Sequence, residues 1–342
     1  MVKRTFFFLL FLVIGVSLFL SILFNTGIES IGKALSEFSL MNFVIFLLLS
    51  FINFGLFTLR WDIILRHHDK DHKVPFYRLY LHRMSAYAIS YLTPSAGSGG
   101  EPVRIFFLHE EGISTKTAVS STVIDKVFEY TALILFISSG VVIAIIEGSL
   151  FSGKMELMLI GFLIFFGGLI FWFYYATIKH IGFFSSILRF SRLNKIKRIN
   201  KHEESIITIE KQMSDFYIQN VPKFIFLLFL SFCTVFFMVL EHFLVAMFLG
   251  VKLTFLQSFL SSTIPGISYI IPIPGALGVL EGSHAGIFAI LGVSINVFVF
   301  VLILRIRDLI FIFIGLGHAS KHGIQMIYKS FSKDEKKKIS KT

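Results

Sequence analysis

Eight ionisable residues lie inside or beside long apolar runs of this chain. Lys126 with Glu129, and Arg305 with Asp308, are each a base followed three residues later by an acid, which puts both members on one helix face. Glu101, Arg104 and Glu281 follow glycine-rich turns, and Glu241 stands alone among Phe and Leu. An unpaired charge in hydrocarbon costs from about 3 to over 10 kcal/mol, so such groups must be paired or hydrated, or must contact a ligand. The free N–H groups of a helix start favour anions, and Arg104 beside one reinforces that preference. A carboxylate in the same place suits an ammonium group, a coupling proton or a metal ion. Glu241 reads as a proton-titrating site, with a buried, protonated bystander as the alternative.

Other chemistry is less well supported. His67, His68, Asp69, Asp71 and His72 form a metal-like cluster without a second ligand group at defined spacing, and a solvated loop is the expected reading. Phosphate-binding Gly-Lys-Ser/Thr loops, G-x-S-x-G elbows and H-E-x-x-H pairs do not occur. No catalytic residue, metal or cofactor is therefore expected.

The elements that position these charges are set by composition. Of the 342 residues, 55% are hydrophobic and 15% charged, with 43 phenylalanines and one cysteine, Cys233, in an apolar run. Mean hydropathy is +0.79. A soluble domain carries roughly 25% charged residues, and a disulfide scaffold needs more cysteines, so the chain reads as an all-α polytopic membrane protein. Runs near the ~20 residues that span hydrocarbon occupy 5–24, 41–59, 123–146, 156–178, 222–249 and 295–318. The first begins after Lys3-Arg4 but lacks an A-x-A-like cleavage site, so a retained helix is expected rather than a signal peptide. Of the Lys and Arg outside the spans, 26 fall at the N-terminus, in 60–116, in 179–223 or after 318, against 3 in the alternate loops. The positive-inside rule then puts both termini in the cytoplasm, and the net charge of +11 requires no nucleic acid. The basic, aromatic stretch 182–199 reads as an amphipathic helix on an anionic inner leaflet, and 321–342 as a basic cytoplasmic tail.

Two apolar regions, 79–108 and 253–293, are broken by glycine and proline. Tyr91, Pro94, Gly97 and Gly100 recur as Tyr269, Pro272, Gly275 and Gly278 at an offset of 178, with Pro274 beside them. Glu101, Gly112, Ile113 and Ser114 recur as Glu281, Gly292, Val293 and Ser294 at an offset of 180, and the Lys126/Glu129 and Arg305/Asp308 pairs at 179. If each broken region re-enters, each half holds three spans, and the halves (about 1–146 and 156–320, with a cytoplasmic loop at 179–221) are inverted repeats of one domain, 1–320. Such an architecture places a site between the repeats near the bilayer midplane, as in many secondary transporters. Helices starting at Ser114 and Ser294 carry Lys126 and Arg305 about 17 Å into the membrane. The pseudo-symmetry predicts reciprocal pairs across the two-fold, Lys126 with Asp308 and Arg305 with Glu129.

The stretches Pro94–Arg104 and Ile271–Glu281, with Gly112-Ile113-Ser114, Arg60-Trp61 and the base at Arg305, resemble the lysylphosphatidylglycerol synthase transmembrane (flippase-like) family. The resemblance spans nearly the whole chain. It implies a prokaryotic, multi-pass cell-membrane protein that moves a lipid between leaflets, either an anionic or aminoacylated phospholipid or a polyprenyl-linked lipid. Membrane lipids would be its partners, together with a separate lipid-modifying enzyme or glycosyltransferase, or a second copy as a homodimer. Lys126 stands where the family pattern has arginine. The chain ends at Thr342 without the soluble aminoacyltransferase domain of some members, so lipid synthesis is not expected. A proton-coupled solute transporter and a membrane enzyme acting on a lipid-linked substrate are the alternatives.

Overall fold

The computed structural model describes residue 29 and residues 39–70, 72–93, 98–146, 153–191, 203–219 and 221–339. The expected span 5–24, Pro94, Gly97, Asp71 and residues 192–200 lie outside these. In order the helices are α1 (Leu40–His68), α2 (Phe76–Leu92), α3 (Glu101–Glu110), α4 (Thr115–Ile146), α5 (Gly153–Ile178) and α6 (Phe183–Phe190). They continue with α7 (Glu203–Gln219), α8 (Val221–Phe248), α9 (Phe255–Thr263), α10 (Val279–Ile290) and α11 (Val297–Ile339), with short 3-10 turns at Ile264–Ile270 and Pro274–Ala276. No strand occurs among the described residues.

Helix starts follow local chemistry. Ser39, Ser114 and Asn296 cap α1, α4 and α11, their side-chain oxygens accepting from Met41 N at 3.2 Å, Thr117 N at 3.1 Å and Val299 N at 3.2 Å. Four stretches are long and apolar enough to cross a membrane: Leu40–His68, Thr115–Ile143, Ile160–Ile178 and Val221–Phe248. The further expected span at 295–318 lies within α11, whose apolar part carries Arg305, Arg307 and Asp308.

The broken regions form short helical hairpins. α2 and α3 have 17 and 10 residues, which at 1.5 Å per residue is about 26 and 15 Å, short of the ~30 Å core. They meet at Gly100, whose N–H donates to Ser90 Oγ at 2.7 Å, and a Cβ there would run into the Ala86 main chain. The second hairpin uses α9, the 3-10 turns and α10, with Gly275 and Gly278 at φ 59° and 76°. These left-handed conformations favour glycine.

The order α1–α4 recurs as α8–α11. The equivalent helices α1 and α8 lie side by side and antiparallel: Arg60 meets Ser231 at 3.1 Å, and His67 meets Lys223 at 3.5 Å one end on. Each half's hairpin packs on the other half's last helix. α2 runs antiparallel to α11, with Ser85 Oγ donating to Gly315 O at 2.8 Å, and α9 rests on α4 at Gly140. Antiparallel equivalent helices are what an inverted repeat requires, and the exchanged hairpins keep the same two-fold relation.

The stretch 179–221 between the spans holds α6, which lies inside the expected amphipathic stretch 182–199, and α7, whose Met213, Phe216 and Tyr217 are buried against Ile64 and Phe128. Apolar residues at helical spacing on α7 find this partner surface. His67 and His68 are consequently not solvated. The His68 ring stacks on Phe216, and its Nδ1 and Nε2 lie 3.0 and 3.3 Å from Ile64 O and Gln212 O. The basic end of the chain is helical to Ile339, because nothing breaks α11 before it.

Candidate functional site

Asp125, one position before Lys126 on α4, is fully buried at the centre of an arginine cluster. Its carboxylate accepts from Arg60 Nε of α1 at 2.7 Å, Arg83 Nη1 of α2 at 2.7 Å and Arg104 Nη2 of α3 at 2.8 Å. Arg104 also donates to Glu101 at 3.0 Å and lies over the Trp61 ring at 4.1 Å. Lys126 Nζ donates to Glu129 Oε1 at 2.8 Å and stands 3.6 Å from Glu101 Oε1. Glu129 Oε2 lies 3.3 Å from Arg83 and 3.6 Å from Arg60. Four helices thus converge on one aspartate. Arg60, Arg83 and Arg104 are 0%, 8% and 2% exposed, so they are not the solvated loop charges that the topology count takes them for. A buried anion is what draws them inward.

The second cluster has fewer bases. Arg305 forms a bidentate pair with Glu281, with Nη2 to Oε2 at 2.8 Å, and its Nη1 donates to Tyr91 OH at 2.7 Å and Gly275 O at 3.0 Å. Glu281 Oε2 also accepts from Gly278 N at 2.8 Å, capping α10. Arg307 pairs with Glu241 of α8 and donates through Nη2 to Asp308 Oδ1 at 2.8 Å. Glu241 is therefore not alone: the sequence isolates it, and packing supplies its partner.

The predicted cross-pairs, Lys126 with Asp308 and Arg305 with Glu129, do not form. Lys126 finds the acid one turn along its own helix, and both Lys126 and Arg305 are met by the glutamate that starts the preceding hairpin helix in the same half. Glu101–Lys126 and Glu281–Arg305 are equivalent contacts, so pairing follows the repeat instead of crossing it.

A cavity of about 690 Å³ lies between the clusters. Arg83, Glu101, Arg104, Lys126 and Glu129 border it from one side, and Glu241, Arg307 and Asp308 from the other. Leu133 and Ile134 of α4 and Phe162 and Phe166 of α5 give it an apolar wall. Glu281 and Arg305 sit behind that lining, where they hold the second hairpin together. Arg104 Nε and Asp308 Oδ2 are buried without a hydrogen-bond partner among the described residues. Of the sequence-derived candidates, Glu101, Arg104, Lys126, Glu129, Glu241 and Asp308 share this cavity. Arg83 and Arg307 join them, and Arg60 and Asp125 support them from behind. The run Arg305-Ile306-Arg307-Asp308 in an apolar stretch marked Arg307, whereas Arg83 sits in a polar-looking segment and carries no such mark.

Membrane-length apolar helices, short broken hairpins and enclosed charges define a polytopic α-helical membrane protein. The chain belongs to the family described as the lysylphosphatidylglycerol synthase TM region, which matches residues 8–315. A UPF0104 membrane protein of Methanothermobacter thermautotrophicus is 30% identical over 301 residues, covering 83% of each chain. Another match to a UPF0104 membrane protein of that organism is 34% identical over 113 residues, 33% of each chain. No solved structure matches.

Proposed function

We propose that the protein moves a lipid between the leaflets of the cell membrane, with both termini in the cytoplasm. The observation that carries this reading is the cavity of about 690 Å³, which joins charged walls from both repeats to an apolar wall on α4 and α5. A headgroup needs the first and acyl chains the second, and a small polar solute has no use for the apolar side. The cationic side, with Arg83, Arg104 and Lys126, suits a lipid phosphate. An anionic or aminoacylated phospholipid, or a polyprenyl-linked lipid, is the substrate class. The chain acts without catalysing a reaction of its own, on a lipid made by a separate enzyme.

Leaflet exchange in proteoliposomes tests the proposal, using short-tailed fluorescent lipids of several headgroups and external quenching. Wild type is expected to speed exchange for some headgroups, and Glu101→Gln to slow it. No exchange with any lipid from folded protein would overturn the reading in favour of a solute transporter or an enzyme.

A further inference from the structure

His242 on α8 and His284 on α10 form a buried imidazole pair on the cavity wall, 7% and 2% exposed. Neither belongs to the charge clusters. His242 Nδ1 lies 2.9 Å from Met238 O, and His284 Nδ1 lies 2.9 Å from Leu280 O. A carbonyl only accepts, so both Nδ1 atoms carry hydrogen. Each neutral ring therefore presents a lone pair on Nε2, and the two Nε2 atoms face each other at 3.5 Å. The ring centres are 5.7 Å apart and the planes 10° from parallel. That separation is close to the Nε2–Nε2 distance plus one ring radius at each end, so the rings meet head to head and not face to face.

Two lone pairs so placed repel, and a proton between them converts the repulsion into a charge-assisted N–H···N hydrogen bond. We infer that His242 and His284 form a one-proton site, in which one ring binds a proton at Nε2 and donates it to Nε2 of the other. Two nitrogens without a third donor are too few for a divalent metal ion.

Arg307 of α11 acts on His242, and Glu281 of α10 and Arg305 of α11 act on His284. Glu241 adjoins His242 on α8, with its carboxylate held by Arg307, and Phe300 of α11 packs on both rings with centres at 5.5 and 5.6 Å. These two bases and two acids balance, so a bound proton adds one net charge. The second cluster as a whole, with Asp308, has one more acid than base, and the proton offsets that surplus. Resting on the translocation reading, this site couples lipid movement to a proton gradient.

The test is a nitrogen NMR titration of the histidine-labelled full chain in lipid nanodiscs, from neutral to acid pH. The pair is expected to take up one proton in a coupled step. His242→Leu, which removes the acceptor, is expected to lower the proton affinity of His284 about tenfold, the worth of a hydrogen bond to a charged group. Independent titration of the two rings, absence of uptake by either, or a spectrum altered by a metal chelator would overturn the site. In proteoliposomes, wild-type exchange should change several-fold with an imposed pH gradient, and His284→Gln should not respond. A wild-type rate indifferent to the gradient overturns the coupling. Absence of all exchange overturns translocation and leaves the proton site to the wild-type titration.

Discussion

The two charge clusters occupy equivalent places in the repeats, yet they are built for different work. Around Asp125 four bases, Arg60, Arg83, Arg104 and Lys126, meet three acids. Around Arg305 and Arg307 two bases meet three acids. In the first half the Glu101–Lys126 contact is 3.6 Å, with both side chains about one-fifth exposed to the cavity. The equivalent Glu281–Arg305 contact is bidentate and buried, and Arg305 is tied to Tyr91 and Gly275 as well. A pair with loose geometry and solvent access exchanges partners readily; a desolvated bidentate pair does not. Under the proposed function, the first cluster is therefore the one to trade a protein carboxylate for a ligand phosphate, while the inner part of the second serves as a rivet.

The difference is most sharply broken at Asp125. Asp125→Ala leaves three buried guanidinium groups without their shared anion, and a loss of about 3–5 kcal/mol is expected. Thermal unfolding in detergent reads this, and wild-type melting would mean that the arginines find other partners. Gly100→Ala forces a methyl group into the Ala86 main chain of the first hairpin, for an expected cost of about 1–3 kcal/mol by the same assay. Exchanging the equivalent bases sharpens the contrast. Arg305→Lys loses the bidentate pair and the bonds to Tyr91 and Gly275, costing about 1–3 kcal/mol. Lys126→Arg, at a position 19% exposed, should stay within about 0.5 kcal/mol of wild type. Equal melting temperatures for these two variants would erase the proposed asymmetry. Lys126→Met should cost under about 1 kcal/mol of stability, since Glu129 keeps Arg83 and Arg60 as partners, yet leaflet exchange should fall about tenfold because a charge-assisted contact to the ligand is lost.

The alternation of apolar runs and basic loops marked the membrane helices along the chain, because hydrocarbon imposes length and composition on each segment by itself. The matched Tyr-Pro-Gly-Gly-Glu positions marked the hairpins, since a break in a helix is written in local residues. The pairing of Arg60 and Arg83 was opaque for the opposite reason: each looks like an ordinary positive charge on its helix until Asp125 is seen to face it. The packing of α7 was opaque for a like reason, as the polar residues around it concealed the face that buries Phe216.

What the sequence alone determined is everything governed by neighbours along the chain: the membrane class, the antiparallel doubling, the breaks and the placing of Lys126 and Glu129 on one helix face, though not their pairing with each other. Only the tertiary structure decided which charges share a partner. Arg60 and Asp125 are 65 residues apart, and Glu241 and Arg307 are 66 apart. Coulombic pairing in a low-dielectric interior depends on distance in space, and the packing of α1, α2, α3 and α8 around α4 and α11 sets that distance.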